Sequence, residues 1–209
     1  MNHVEQLKRL NACSEGVAFA KGYEDWQKCW AEIPRGDWSL WVLAQVTGPP
    51  ESASRKKLVL CCCEVARTVL HLVPEGEDRP RLAIEAAEGW AKGENNVTLE
   101  QARAAASAAG DSAASAASSA ASSAASAAYA ADAPAAYAST AAAYAATAAA
   151  HAAYAPSYAA YAYAYAAAYD DDAADIRRQS QAKTADIVRK HYPVAPKLSP
   201  DQSGEGGGE

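Results

Sequence analysis

An alanine-rich tract between residues 112 and 169 constrains the fold of this chain more than any other feature. It begins SAASAASSAASSAASAAYAADAP at 112–134, continues in alanine, serine, threonine and tyrosine to Tyr169, and takes up nearly a third of the sequence. Alanine has the highest intrinsic helix propensity, so the tract is predicted to be helical rather than disordered despite its low complexity.

The larger residues of the tract follow a helical register. Most of them recur at alternating three- and four-residue steps, which keep side chains on one face of a helix. They are Ser112, Ser115, Ser119, Ser122, Ser126 and Tyr129, followed by Tyr137, Thr140, Tyr144, Thr147, His151, Tyr154, Tyr158, Tyr161, Tyr165 and Tyr169.

Two interpretations of this face are open, and we favour the first for the tyrosines. In the first, the tyrosine rings pack on the rest of the protein, since each buried aromatic ring contributes about 150–250 Å² of buried area. In the second, the face is solvated and the alanine surfaces pack together. A structural or ice-binding role is a further alternative, although only Thr140 and Thr147 fall on the face, seven residues apart.

The first hundred residues have a different composition, with all five tryptophans and the only phenylalanine. Turn signals divide them into predicted helices at 3–21, 24–33, 38–47, 53–73 and 80–92. No alternation with a period of two residues predicts a strand. We therefore predict an all-α single domain of mostly antiparallel helices over 1–192, tryptophan-rich to 97 and alanine-, serine- and tyrosine-rich from 98. A disordered tail is predicted over 193–209.

Helix starts are predicted from capping residues. Asp37 and Asp78 are each placed to cap a helix, and Thr98 with Gln101 has the spacing of a capping box. Within 53–73, one apolar face is predicted from residues at three- and four-residue steps, namely Leu58, Cys62, Val65, Val69 and Leu72.

Charge and hydropathy narrow the classes of partner. The formal net charge is −6, with 19 Lys and Arg against 25 Asp and Glu. A nucleic-acid-binding surface needs clustered cations, so nucleic acid is excluded as a partner and a basic protein is favoured. No bulky apolar stretch is long enough to span a bilayer or to act as a signal peptide, which predicts a cytoplasmic protein without membrane contact.

No residue pattern predicts catalysis, a metal site or a cofactor. Cys61, Cys62 and Cys63 point about 100° apart on a helix and cannot converge on one ion, so they are predicted to be core thiols. The carboxylates at 170–175 are interpreted as a helix N-terminal charge run. His3, His71, His151 and His191 are dispersed, which predicts surface or capping positions. We therefore predict that the protein is not an enzyme.

Several segments together resemble the immunity protein family encoded beside bacterial polymorphic toxins, with members in some phage genomes. The most specific is PEGEDRPRLAIEAAEGWAKGE at 74–94. The others are NACSEGVAFAKGY (11–23), RGDWSLWVL (35–43), RKKLVLCCCEVAR (55–67), the alanine–tyrosine tract and ADIVRKHYP (185–193). The serine-rich section at 107–126 departs from the family, in which more tyrosine is expected.

This resemblance implies an all-α protein that binds and neutralises a cognate protein toxin without catalysis. An acidic surface would then cover a basic region of the toxin. The predicted partner-binding residues are the loop acids with the following arginine, one helix start and two tyrosines of the tract: Glu75, Glu77, Asp78, Arg79, Asp37, Trp38, Tyr158 and Tyr161.

Overall fold

A computed structural model describes residues 2–68, 70, 76, 78–111 and 171–198. The alanine–tyrosine tract from 112 to 170 lies outside these residues, so its register and the packing of its tyrosines stay predictions. Glu75, Glu77, Tyr158 and Tyr161 lie outside them as well.

The described part of the chain contains eight α-helices and no strand. They are α1 (His3–Arg9), α2 (Ser14–Ala20), α3 (Trp26–Glu32), α4 (Gly36–Val46), α5 (Ala53–Arg67), α6 (Arg79–Lys92), α7 (Leu99–Asp111) and α8 (Asp171–His191). The prediction of an all-α single domain is confirmed for these residues.

The single helix predicted over 3–21 is wrong, because the chain turns between α1 and α2. Asn11 has a φ of 62°, a left-handed conformation that asparagine adopts more readily than most residues. Beyond it, the Cys13 Sγ accepts a hydrogen bond from the Gly16 amide at 3.4 Å and caps α2. The asparagine thus ends the first helix and the cysteine starts the second.

The predicted caps have mixed outcomes. Asp37 is not a cap, because α4 begins at Gly36, two residues earlier than predicted, with Arg35 at the N-cap position and no side-chain capping bond. Asp78 occupies the N-cap of α6, but its carboxylate makes no capping bond and instead accepts from Arg81 at 3.1 Å. The Thr98 box is confirmed, with reciprocal hydrogen bonds to Gln101 of 2.8 and 3.2 Å.

Helix α5 lies at the centre of the core, in contact with α4, α6 and α8. Three residues of its predicted apolar face, Leu58, Cys62 and Val65, are fully buried. The neighbouring Cys61 and Cys63 are fully buried too, so the helix is covered on most sides rather than on one face. Cysteine and valine are small enough to let the surrounding helices approach closely, and the prediction of core thiols is confirmed for this run.

Helix α8 returns to the first half of the chain and packs on α4 and α5. Its contact with α4 is tight because Gly36 has no side chain: a Cβ there would overlap the Thr184 side chain and lie 2.8 Å from the Ala185 nitrogen. At its far end, Lys190 and His191 bind the Glu64 carboxylate of α5 at 2.8 and 2.7 Å. These two hydrogen bonds lower the pKa of Glu64.

The prediction of a disordered tail from residue 193 is wrong for residues 193–198. This segment lies along α3, where the Trp26 indole donates to the Pro196 carbonyl at 2.8 Å. Its last residue, Leu198, is buried in the core. Proline and the low apolar content of the whole tail favoured disorder, but main-chain carbonyls met by donors on α3 hold this part in place.

The close approach of α4 and α8 predicts that Gly36→Ala destabilises the protein. The added methyl group has no room, and overpacking costs about 1–3 kcal/mol, more than the gain of about 0.5–1 kcal/mol in helix propensity. Urea unfolding followed by circular dichroism measures the change. Gly16→Ala in α2 is the matched control, because a Cβ there lies 3.4 Å from its nearest neighbour, the Cys13 Sγ. Equal stability of the two variants would contradict the prediction.

The burial of four of the five cysteines predicts a sharp difference in thiol reactivity. Cys13 is exposed, whereas burial raises the pKa of Cys29 to about 11 and raises the pKa values of Cys61, Cys62 and Cys63 further. Because the thiolate is the reactive form, Ellman's reagent should label one thiol in the native protein and five in denaturant. Cys13→Ser should abolish the native reaction, and a second fast thiol in that variant would contradict the prediction.

Candidate functional site

A cleft of about 420 Å³ opens among the first four helices. Its lining comes from α1, the turn after it, α2, α3 and the start of α4. The residues are Leu7, Asn11, Ala12, Cys13, Glu15, Gly16, Phe19, Ala20, Trp26, Cys29, Ile33, Arg35, Asp37, Trp38, Trp41 and Val42. The break at Asn11 shapes it, because the turn lets α1 and α2 form two different parts of its wall.

Aromatic side chains form much of the wall of the cleft. Phe19, Trp26, Trp38 and Trp41 are each partly buried and pack against the core. The rings of Phe19 and Trp38 are tilted by 54° with centroids 5.9 Å apart, a geometry in which aromatic pairs attract. Large rings held by neighbours on one side offer a rigid apolar surface on the other.

An ion cluster lies at the rim of the cleft. Arg35 binds the carboxylate of Asp37 at 2.7 Å and that of Glu15 at 3.0 Å. Its guanidinium also lies 4.7 Å from the centre of the Trp38 ring, within range of a cation–π interaction. The hydrogen bonds that the Arg35 guanidinium donates to the Asp37 carboxylate are the main reason that the pKa of Arg35 is raised.

Helix α8 supports this rim from outside the cleft. The Asp37 amide donates to the Gln181 Oε1 at 3.1 Å, and the Gln181 side chain is buried. The Arg35 side chain makes no capping hydrogen bond. A helix N-terminus leaves its first amides without an intrahelical acceptor, and Gln181 provides an acceptor for one of them. The position of the Arg35–Asp37 pair therefore depends on the docking of α8.

The predicted partner-binding residues divide into three groups. Asp37 and Trp38 lie together at the cleft. Asp78 and Arg79 are exposed at the start of α6 and do not line it. Glu75, Glu77, Tyr158 and Tyr161 have no described position.

Five aromatic or charged residues of the cleft are absent from the sequence-based prediction of binding residues: Glu15, Phe19, Trp26, Arg35 and Trp41. The sequence spacing could have indicated some of them. Glu15 and Phe19 are four residues apart on α2, and Trp38 and Trp41 are three residues apart on α4. Such spacings place side chains on one helical face. Nothing in the sequence indicates that the two faces meet.

The predicted histidine positions are corrected at His3. Its side chain is buried, with the Nε2 atom 3.1 Å from the Ala20 carbonyl oxygen and the ring stacked on Trp26 at 5.9 Å. It joins α1 to the end of α2 instead of facing solvent. Within the described ranges, no group of three or more His, Cys, Asp or Glu side chains is placed to hold a metal ion.

Comparisons of the chain with protein-family models, with curated proteins and with solved structures find no match. In the part of the chain that the structure describes, none of the helices combines the length and the apolar character that crossing a membrane requires.

Support of the rim by α8 predicts that Gln181→Ala lowers the free energy of unfolding by about 1–2 kcal/mol, because the Asp37 amide loses its acceptor. Thermal or urea unfolding measures the loss. Gln179→Ala is the matched control on the same helix, since Gln179 is exposed and its truncation should change stability by less than about 0.5 kcal/mol. If the two variants were equally stable, the supporting role of Gln181 would be refuted.

Proposed function

We propose that the protein is a non-catalytic immunity protein that neutralises a cognate protein toxin by direct contact, and that the cleft is its contact site. The observation that carries the proposal is the rigid aromatic cleft with a charged rim. The segments at 11–23 and 35–43, which resemble the immunity protein family, contribute most of its lining. The residues of the resemblance and the residues of the cleft therefore overlap.

The composition of the cleft suits a protein partner. Tryptophan and arginine are enriched among the residues that dominate binding energies at protein interfaces, particularly where they surround a desolvated pocket. Here Trp38 and Trp41 stand beside Arg35, and buried residues such as Ile33 and Val42 form an apolar floor. Apolar side chains of a partner would displace water from this floor on binding.

The charge at the rim favours a basic partner. Glu15 and Asp37 provide two carboxylates against the single guanidinium of Arg35, and the Glu15 side chain is 72% exposed. The whole chain carries a net charge of −6. Complementary charge speeds the encounter of two proteins and makes the association rate sensitive to salt.

The function is tested by co-expression with the product of the adjacent gene. The immunity proposal predicts that the wild-type chain restores growth and binds the toxin in a pull-down. Failure to bind or to rescue any adjacent toxin would refute it. A freezing curve measured on the chain alone distinguishes the ice-binding alternative, which requires thermal hysteresis without a partner.

The site is tested by Trp38→Ala, which should weaken toxin binding by a factor of about ten or more, as removal of a central aromatic does at protein interfaces. Isothermal titration calorimetry measures the change, with circular dichroism to confirm folding. Leu82→Ala is the matched control, because Leu82 is a 48% exposed apolar residue of α6 that does not line the cleft. If both variants bound the toxin as tightly as wild type, the contact site would lie elsewhere.

The charge argument is tested by Glu15→Gln, which should slow association at low salt and have less effect at high salt because ions screen the rim. Stopped-flow measurements give the rate. The control is Glu100→Gln, an exposed carboxylate at the start of α7 outside the cleft. Equal rates for the two variants would argue against electrostatic steering through the rim.

A further inference from the structure

The segment 192–198, which we name the strap, is held along α3 by four hydrogen bonds. The indoles of Trp26 and Trp30 donate to the carbonyls of Pro196 and Tyr192, each at 2.8 Å. Gln27 uses both ends of its side-chain amide: Nε2 donates to the Pro193 carbonyl at 3.2 Å, and Oε1 accepts from the Ala195 amide at 2.8 Å.

The three α3 residues form a regular surface, which we name the WQxxW face. Trp26 and Trp30 are four residues apart and lie on one side of the helix, with Gln27 next to Trp26. Their ring centroids are 5.9 Å apart. The two indole donors, with the Gln27 side-chain amide between them, bind main-chain atoms spread over residues 192–196 of the strap.

Every polar contact between the WQxxW face and the strap is made to the main chain of the strap. Val194, in the middle, is 71% exposed. The polar contacts of the face therefore follow the path of a backbone, while the side chain of Leu198 anchors the end of the strap in the core. The proline spacing favours this extended path, since Pro193 and Pro196 fix their own φ angles and restrict the residues before them to extended conformations.

These features are shared with known recognition of proline-rich segments. In that mode an aromatic surface binds a segment whose prolines have already reduced the entropy lost on binding. Two indole N–H donors, bound to the carbonyls of a segment with Pro-x-x-Pro spacing, supply the hydrogen-bonding part of this chemistry on a helix.

We propose that the WQxxW face is a binding site for extended Pro-x-x-Pro segments, that the chain fills it with its own strap, and that a Pro-x-x-Pro segment of a partner protein can take the place of the strap. The contacts to main-chain atoms allow this exchange, because any segment with the same proline spacing presents the same carbonyls and amide. This inference does not depend on the proposed toxin contact.

The test uses two full-length chains and a labelled peptide of sequence KHYPVAPKLS, residues 190–199. One chain is wild type, and the other carries glycine at 193–196. Glycine makes the strap more flexible, so the altered strap competes less well with the peptide for the WQxxW face. The wild-type strap competes at the high effective concentration of a tethered segment. Fluorescence anisotropy should show the peptide binding the glycine variant at least about tenfold more tightly than wild type.

Two substitutions in the glycine variant separate the WQxxW face from nonspecific binding. Gln27→Ala should weaken peptide binding about tenfold, because two hydrogen bonds to the peptide backbone are lost. Lys28→Ala, an exposed neighbour on the same helix, should leave binding unchanged. A peptide with both prolines replaced by glycine should bind more weakly. Equal binding to both chains, or binding unaffected by Gln27→Ala, would overturn the proposal.

A second measurement needs no altered strap. In wild type, the Ala195 amide should be protected from hydrogen exchange by Gln27, and excess unlabelled peptide should accelerate its exchange by displacing the strap. If saturating peptide did not accelerate hydrogen exchange at this amide, the proposal that another segment replaces the strap would be overturned. If wild type instead formed concentration-dependent dimers that Gln27→Ala abolished, the incoming segment would come from a second copy and the partner assignment would be overturned.

Discussion

The crossing of α8 over the start of α4 is the contact on which the rest of the structure depends. It brings together parts of the chain separated by more than 140 residues, at a point where Gly36 leaves room for Thr184. Around it, Gln181 supplies an acceptor to the first turn of α4, and the Arg189 guanidinium donates to the Ile33 carbonyl at 2.8 Å. The start of α4, which lines part of the cleft, is therefore fixed by a helix that does not itself line it.

Most of the helical fold could be predicted because its causes are local. The Thr98 capping box lies where the sequence indicates, and the burial of the cysteine run follows from its apolar neighbours. The break at Asn11 escaped prediction because asparagine tolerates both helical and left-handed backbone, and only the packing of α1 and α2 decides between them. The order of residues 193–198 escaped because their partners, Trp26 and Gln27, are distant in sequence.

The candidate site was predictable only in part, for the same reason. The stretch RGDWSLWVL is one of the segments that resemble the immunity protein family, and its Asp37 and Trp38 were predicted to bind a partner on that basis. The role of Glu15 depends on a side-chain contact between α2 and the residue before α4, twenty positions away. Such contacts follow from tertiary packing, which no local pattern encodes. Asp78 and Arg79, although equally conspicuous in sequence, begin a helix that does not reach the cleft.

Trp26 takes part in both the cleft and the WQxxW face. Its ring lines the cleft, while its indole nitrogen is bound to the Pro196 carbonyl. A ligand that moved this ring would also change the geometry of that hydrogen bond, and the cleft and the strap would then share a free energy of coupling. By thermodynamic linkage, the factor by which strap release changes the affinity of the cleft for a ligand equals the factor by which ligand binding changes the equilibrium for strap release. Through this single side chain, the surface of the cleft would respond to release of the strap.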